Sequence, residues 1–510
     1  MRTIRLLPAT LAATLLVAGC NAPPPSPTAG QAGSDSTATR HFGAIAFEPC
    51  SLPGVTGGQS TAALCASLQV PEDPAAPAGR KIGLNIAWLP VAKGDGTGDP
   101  VFFLAGGPGQ AATEHAATVD AALREVRKQR DVILVDQRGT GKSNPLACVD
   151  AAGRELPADG LDATDPQALA GHARQCAQAL AGKADPRFYT TTEAVQDLDA
   201  VRAALGVATI NLVGVSYGTR VAQQYAARYA KHTRAIVLDG VVPNDLVVGG
   251  EFAHTFENAL ALQTAQCRKL AACRQRYPTD MRAQLRSVMA KLQAAPVDVD
   301  YRDPGTGESK RDTLTADTVT GLAFMFSYAP QSAALLPLVI DEADHGRYGP
   351  LMSLAQLMTQ SVGGQMSRGM QWSVVCAEDA DRSSDDASAA DTVLGAQVAR
   401  MFFAACPAWP TGKRPADFTV PLKSTVPALL LSGELDPVTP PRYGERVLAG
   451  LGNGRHQVLR GQGHNVSGIG CMPKLLGQFL ETADAKALDM KCLDTLTYVP
   501  PFTSFNGWEP

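Results

Sequence analysis

The chain has 510 residues, 45% of them hydrophobic and 18% charged, and its 45 basic and 49 acidic side chains give a formal net charge of −4. This composition can bury a large core and excludes bulk disorder. A near-neutral balance also argues against nucleic acid as a partner, because phosphate binding needs clustered Lys and Arg, and no apolar stretch after residue 20 is long enough to span a bilayer.

Arg2 and Arg5 precede an apolar run from Leu6 to Ala18, the pattern of a secretory signal. The run ends in Val17-Ala18-Gly19-Cys20, which resembles a bacterial lipobox. That resemblance implies cleavage before Cys20 and lipid on Cys20, with enough acyl chains for stable anchoring. Residues 1–19 therefore read as a signal peptide. Residues 20–40, rich in Pro, Ala, Gly, Ser and Thr, read as a flexible linker. Asn21 is not the Asp of an inner-membrane retention signal, so an outer-membrane anchor in the bacterial cell envelope is favoured.

Ten cysteines remain besides Cys20, an even number that favours disulfides in an exported protein. They fall into sequential neighbours: Cys50 with Cys65, Cys148 with Cys176, Cys267 with Cys273, Cys376 with Cys406, and Cys471 with Cys492. Metal binding is the competing reading, and it is weak because no CxxC occurs. No metal or cofactor is expected.

Strands are predicted over Ile82–Leu89, Val101–Ala105 (VFFLA) and Asp131–Asp136 (DVILVD). Short apolar runs bounded by turn residues suit the buried strands of a parallel sheet. Glu193–Leu205 has helical spacing, with Leu198, Val201 and Leu205 on one face and Gly206 as its stop. Thr209–Val215 reads as a strand, Arg220–Ala230 as a helix and Ala235–Val242 as a strand. From Pro243 to about Thr419 buried apolar strands are absent and the pattern is mostly helical. Strands resume at Val426–Leu431 and His456–Leu459. The fold class is thus α/β, a doubly wound, mostly parallel sheet with a largely helical cap inserted between strands. Residues 41–243 and 420–510 would form the core and 244–419 the cap, over the sheet edge where ligands bind.

Gly214-Val215-Ser216-Tyr217-Gly218 fits G-x-S-x-G between a strand and a helix, the setting of a nucleophile elbow at Ser216. A serine needs a base, and the base an orienter. Asp436 lies just past the strand ending at Leu431, and His464 follows in a glycine-flanked loop, giving the order Ser, acid, His. Glu434 is the competing acid, and His456, which opens a strand, reads as structural. Oxyanion donors are expected from the Tyr217 N–H and from Gly107 in Gly106-Gly107-Pro108-Gly109, where Pro108 has no N–H. Gly139-Thr140-Gly141-Lys142-Ser143 lacks the first glycine of a phosphate-binding loop, since Asp136 stands there. Arg138 is expected to tie that loop down by ion pairing, and residues 303–312 to form an exposed hairpin or loop.

AGGPG, DQRGTGKS, DLDAVRAALG, NLVGVSYGTR, VLDGV and GELDPVTP together resemble the prolyl aminopeptidases and bacterial tripeptidyl aminopeptidases of the α/β-hydrolase fold, from about Phe42 to Cys492. The resemblance implies a serine peptidase that releases residues or short peptides from a free N-terminus. Ala105 stands where prolyl aminopeptidases usually carry His, which tilts the reading toward the tripeptidyl branch. An exopeptidase must also read the substrate ammonium, for which a carboxylate in a partly desolvated pocket is suited. Glu378 is the first candidate, because a similar Cys-x-acid segment recurs in the tripeptidyl-type relatives, and Asp379 is the second. The expected substrates are short peptides, the expected state is a monomer, and contact with membrane is expected only through the lipid. An esterase with the same triad is the alternative, and a non-catalytic envelope lipoprotein on this fold is a third reading.

Overall fold

The computed structural model describes residues 38–507 except 55–57, 59, 93, 95, 97, 151, 157–164, 363–365 and 397. The expected signal peptide, the expected lipidation at Cys20 and most of the expected linker therefore lie outside the described residues. Twelve strands occur among the described residues: β1 (Arg40–Phe42), β2 (Ile45–Leu52), β3 (Thr61–Pro71), β4 (Lys81–Leu89), β5 (Val101–Leu104), β6 (Val132–Val135), β7 (Ile210–Val215), β8 (Thr233–Asp239), β9 (Val297–Arg302), β10 (Ser309–Leu314), β11 (Ala428–Gly433) and β12 (Gly454–Leu459). Ten of them form one sheet in the order β1-β2-β3-β4-β6-β5-β7-β8-β11-β12. The first four strands and the β4/β6 pairing are antiparallel. From β6 to β12 every pairing is parallel.

The parallel strands are apolar throughout because helices cover both faces. Phe102 and Leu104 of β5, with Leu212 and Leu238, pack against the helices Thr191–Ala204 and Tyr217–Arg228 through Leu198, Val201, Val221 and Tyr225. Val101 and Phe103, offset by one, pack on the opposite face against Val119, Leu123 and Phe479. The two-residue period of a strand thus supplies both cores. Thr191–Ala204 begins with a capping box between Thr190 and Glu193 and stops at Gly206 in the left-handed region.

Three expectations change. The sheet has three antiparallel strands before β4 that apolar runs did not reveal: β2 alternates buried and exposed positions, and β3 is built largely of small residues. The strand expected to reach Val242 stops at Asp239, because Gly240 turns at φ +69°. The insertion between β8 and β11 is also not a single cap. Its first part has its own core around Phe256, Leu285, Leu322 and Leu351, including the antiparallel hairpin β9–β10. From Met370 onward, Trp372, Val374, Phe403 and Trp409 join the core on the sheet face instead, because the helix Arg368–Glu378 is buried along almost its whole length.

All ten cysteines are paired with their sequence neighbours, at Cα–Cα distances from 4.7 to 6.3 Å. Five disulfides mark an oxidising compartment. The C-terminal segment reaches the cap, where Phe502 donates its N–H to the Ala334 carbonyl at 2.9 Å and its own carbonyl accepts from the Tyr277 hydroxyl at 2.6 Å. Among the described residues no helix is long and apolar enough to cross a membrane.

Candidate active site

Ser216 sits between β7 and the helix Tyr217–Arg228 with φ 55° and ψ −124°, a conformation that side-chain-bearing residues rarely hold. Close approaches explain the flanking glycines. A Cβ on Gly214 would lie 2.4 Å from the Gly218 carbonyl oxygen, and one on Gly218 would lie 2.2 Å from that of Leu104. The turn therefore holds the serine at the C-terminal end of a central parallel strand, with the start of a helix beneath it.

Asp436 lies in the loop after β11 and is buried. Its Oδ1 accepts the N–H groups of Val438 at 2.9 Å and Thr439 at 2.7 Å. Its Oδ2 accepts the Thr439 hydroxyl at 2.8 Å and faces His464 Nδ1 at 2.7 Å. The His464 side chain is only 4% exposed. The cap holds it as well: its N–H donates to the Tyr328 carbonyl at 2.7 Å, and its ring meets the Tyr328 ring edge-on at 5.1 Å. With Nδ1 committed to Asp436, Nε2 is the nitrogen left to face a nucleophile.

Ser216 and His464 meet adjacent residues at the end of β8. The Ser216 N–H donates to the Asp239 carbonyl at 2.8 Å. A Cβ on Gly240 would lie 2.9 Å from His464 Cε1, so the imidazole rests on bare backbone there. Burial pushes the imidazole pKa down, but the Asp436 charge and hydrogen bond, helped by Asp239, outweigh it and hold it above the ordinary 6.5. In Asp436 burial opposes ionisation, and His464 with the backbone donors of the loop brings the carboxyl below its usual value.

A Cβ on Gly106 would meet Ser216 Cβ at 3.1 Å, which puts the Gly106–Gly107 turn beside the nucleophile, with Gly107 at φ +107°. Tyr217 opens its helix, where the first N–H groups have no intrahelical acceptor. The Tyr217 hydroxyl lies 2.5 Å from Thr191 Oγ1, and Thr191 donates to Glu378 from its N–H at 2.7 Å and its hydroxyl at 3.0 Å.

Glu378 and Asp379 are both fully buried. Asp379 is taken up by Arg220 at 2.9 Å and Arg382 at 2.5 Å. Glu378 has Arg220 no nearer than 3.7 Å, and burial drives its pKa to about 8 despite that cation and the Thr191 bonds. Neither acid is the solvated surface group an isolated acid in a cap would be, and as packed neither is open to a ligand.

The other residues singled out in the sequence have structural partners. Arg138 is 1% exposed and forks onto Asp197 at 2.6 and 2.7 Å, with carbonyls of Pro71, Glu72 and Phe188 taking its other donors. Glu434 accepts from the Gly461 N–H at 2.8 Å and the Tyr498 hydroxyl at 2.9 Å. His456 Nε2 faces Ser432 Oγ at 2.9 Å. Sequence reading missed Asp239, Thr439, Thr191 and Tyr328. Only the phrase Asp239-Gly240, an acid and a glycine ending an apolar run, carried a signal.

The family model for the alpha/beta hydrolase fold matches residues 99–468. The chain belongs to that family. Serine protease Hip1 of Mycobacterium tuberculosis is 26% identical over 84% of this chain and 87% of its own length. The tripeptidyl aminopeptidase of Streptomyces lividans is 33% identical over 35% of each chain. Among solved structures, a proline iminopeptidase of Mycobacterium smegmatis aligns over 83% of this chain and all of its own, at 16% identity and a TM-score of 0.39.

Proposed function

We propose that this alpha/beta hydrolase is a serine aminopeptidase of the cell envelope, releasing residues or short peptides from free N-termini. The observation that carries the chemistry is the 2.7 Å contact of Asp436 with His464, beside a serine held on a strained elbow. Ser216 Oγ attacks the scissile carbonyl. His464 takes its proton and passes it to the leaving amine, while Asp436 fixes the tautomer and stabilises the imidazolium. The Tyr217 and Gly107 N–H groups receive the developing oxyanion, and water then hydrolyses the acyl-enzyme. The peptidase part draws support from the similarity to serine protease Hip1, and the exopeptidase part from the similarity to the tripeptidyl aminopeptidase. Glu378 is our choice for the ammonium, because Asp379 is consumed by two arginines. Cys20 carries the lipid, so Cys20→Ser moves the protein from the membrane to the soluble fraction.

One observation favours a second reading, an esterase with the same triad: Glu378 is sealed from solvent, and a substrate amine would have to displace its Thr191 contacts. The deciding assay offers free-amine tripeptidyl and prolyl amides, their N-blocked forms and short p-nitrophenyl esters, with Ser216→Ala as control. Cleavage of free-amine amides, lost on blocking and in the control, supports the aminopeptidase. Ester cleavage alone, or indifference to blocking, leaves the esterase.

A further inference from the structure

Asp239 ends β8, is fully buried, and binds both halves of the site with different atoms. Its carbonyl accepts the Ser216 N–H at 2.8 Å. Its carboxylate accepts the Val466 N–H at 3.0 and 2.9 Å and the Ser467 N–H at 2.8 Å. These are the second and third residues after His464, and Asn465, which precedes them, turns through the left-handed region at φ 66°. The next residue, Gly240, is the backbone on which the imidazole rests. Both carboxylate oxygens accept amide hydrogens, which favours the ionised form, but burial outweighs them and holds the carboxyl above the usual carboxylate range.

We propose that Asp239 is a positioning residue for the base: it fastens the His464 loop to the end of β8, which also accepts the nucleophile's N–H, and so sets the spacing of His464 and Ser216. This rests on the triad reading above. The argument is one of connectivity. β7 and β8 are paired in register up to Val215 and Asp239, so the serine is rigidly placed relative to Asp239. The His464 loop comes from beyond β12, two strands away. Without the carboxylate, the neighbouring loop amides would be buried without acceptors, and the loop would drift from the elbow. The ionisable groups that face His464 are Asp436 from the acid loop, Asp239 from β8 and Tyr328 from the cap. When ionised, Asp239 also adds a second negative charge beside the imidazolium.

The test compares Asp239→Asn and Asp239→Glu with the parent enzyme and Ser216→Ala. It reads kcat and KM per site titrated with a fluorophosphonate, across pH. Asp239→Asn keeps the shape and removes the charge. It should lower kcat about 100-fold with KM little changed. It should also move the acidic limb of kcat/KM to lower pH, because a neutral His464 is the active base and its pKa falls when a nearby anion is removed. Asp239→Glu keeps the charge and displaces it, so kcat should fall with a smaller movement of the limb. If Asp239→Asn does not fold, the glutamate variant is read alone, and a parent-like kcat per titrated site overturns the proposal. A parent-like kcat or an unmoved limb in the asparagine variant also overturns it. If Ser216→Ala retains activity, the triad reading fails instead, and the two failures are distinct.

Discussion

Asp436→Asn tests the triad with little disturbance of the fold. The asparagine Oδ1 can keep the Val438 and Thr439 N–H bonds that hold the loop. The position now filled by Oδ2, 2.7 Å from His464 Nδ1, becomes an amide donor. A donor there forces Nδ1 to accept and puts the imidazole proton on Nε2, where it faces the serine and cannot take its proton. At neutral pH the loss should be about 10⁴-fold in kcat, or about 5–6 kcal/mol of transition-state stabilisation. Glu434→Gln supplies the contrast. Its side chain binds Gly461 and Tyr498 rather than the histidine, so kcat should stay within about threefold. Both variants would be assayed on a p-nitrophenyl ester, which makes the test independent of amine recognition. The parent should lose kcat/KM as pH falls through the raised His464 pKa, above 6.5. A loss under tenfold in Asp436→Asn, or a larger loss in Glu434→Gln, would refute the assignment of the acid.

Three further outcomes follow from single contacts. Arg138→Met leaves Asp197 buried without its fork, which should cost about 3–5 kcal/mol in chemical denaturation; a cost under about 1 kcal/mol would show that the pair is not structural. Gly463→Ala places a Cβ 2.1 Å from the Tyr328 carbonyl oxygen, so the cap must part from the His464 loop and kcat should fall about 100-fold at near-normal secondary structure by circular dichroism. Removing Cys376–Cys406, which spans 30 residues, by a double Cys→Ala change should lower stability by about 3–4 kcal/mol; equal denaturation midpoints with and without the bond would contradict a structural role.

Much of the site was legible because the elbow is a local device. The run NLVGVSYGTR shows strand, turn and helix within ten residues, and its two glycines are required by backbone contacts that only such a turn creates. The order Ser216, Asp436, His464 follows from the sheet's connectivity, so loops far apart in sequence converge without any local signal linking them. Contacts between elements were hidden. Asp239 looked like the last residue of an apolar strand, and its role appears only when Val466 and Ser467 arrive from across the sheet. Tyr328 looked like any aromatic in a helical cap. The break in the insertion at Arg368 was likewise invisible, because an apolar helix reads the same whether it packs on a cap or on a sheet. The antiparallel strands β1–β3 escaped because one side of β2 faces solvent and β3 uses small residues, which leave no apolar run.

Recognition of a substrate amine turns on Glu378. Its pKa of about 8 means that ionising it at pH 7 costs about 1 kcal/mol. A charge-assisted hydrogen bond returns roughly 1.5–3 kcal/mol, so an arriving ammonium can ionise the group that it binds. A blocked N-terminus offers no such return and would meet a neutral, sealed carboxyl. Selectivity for the free amine would then come from the burial itself, which an exposed acid could not provide. Glu378→Gln keeps the acceptor oxygen and removes the charge. It should raise KM for free-amine tripeptidyl amides about tenfold or more, with kcat/KM for the p-nitrophenyl ester little changed. Its stability should also no longer decline between pH 4.5 and 8. In the parent over that range the folded carboxyl keeps a proton that the unfolded chain releases, so raising the pH favours unfolding. An unchanged KM together with the flattened stability profile would assign Glu378 to packing alone, and the ammonium would have to be read elsewhere.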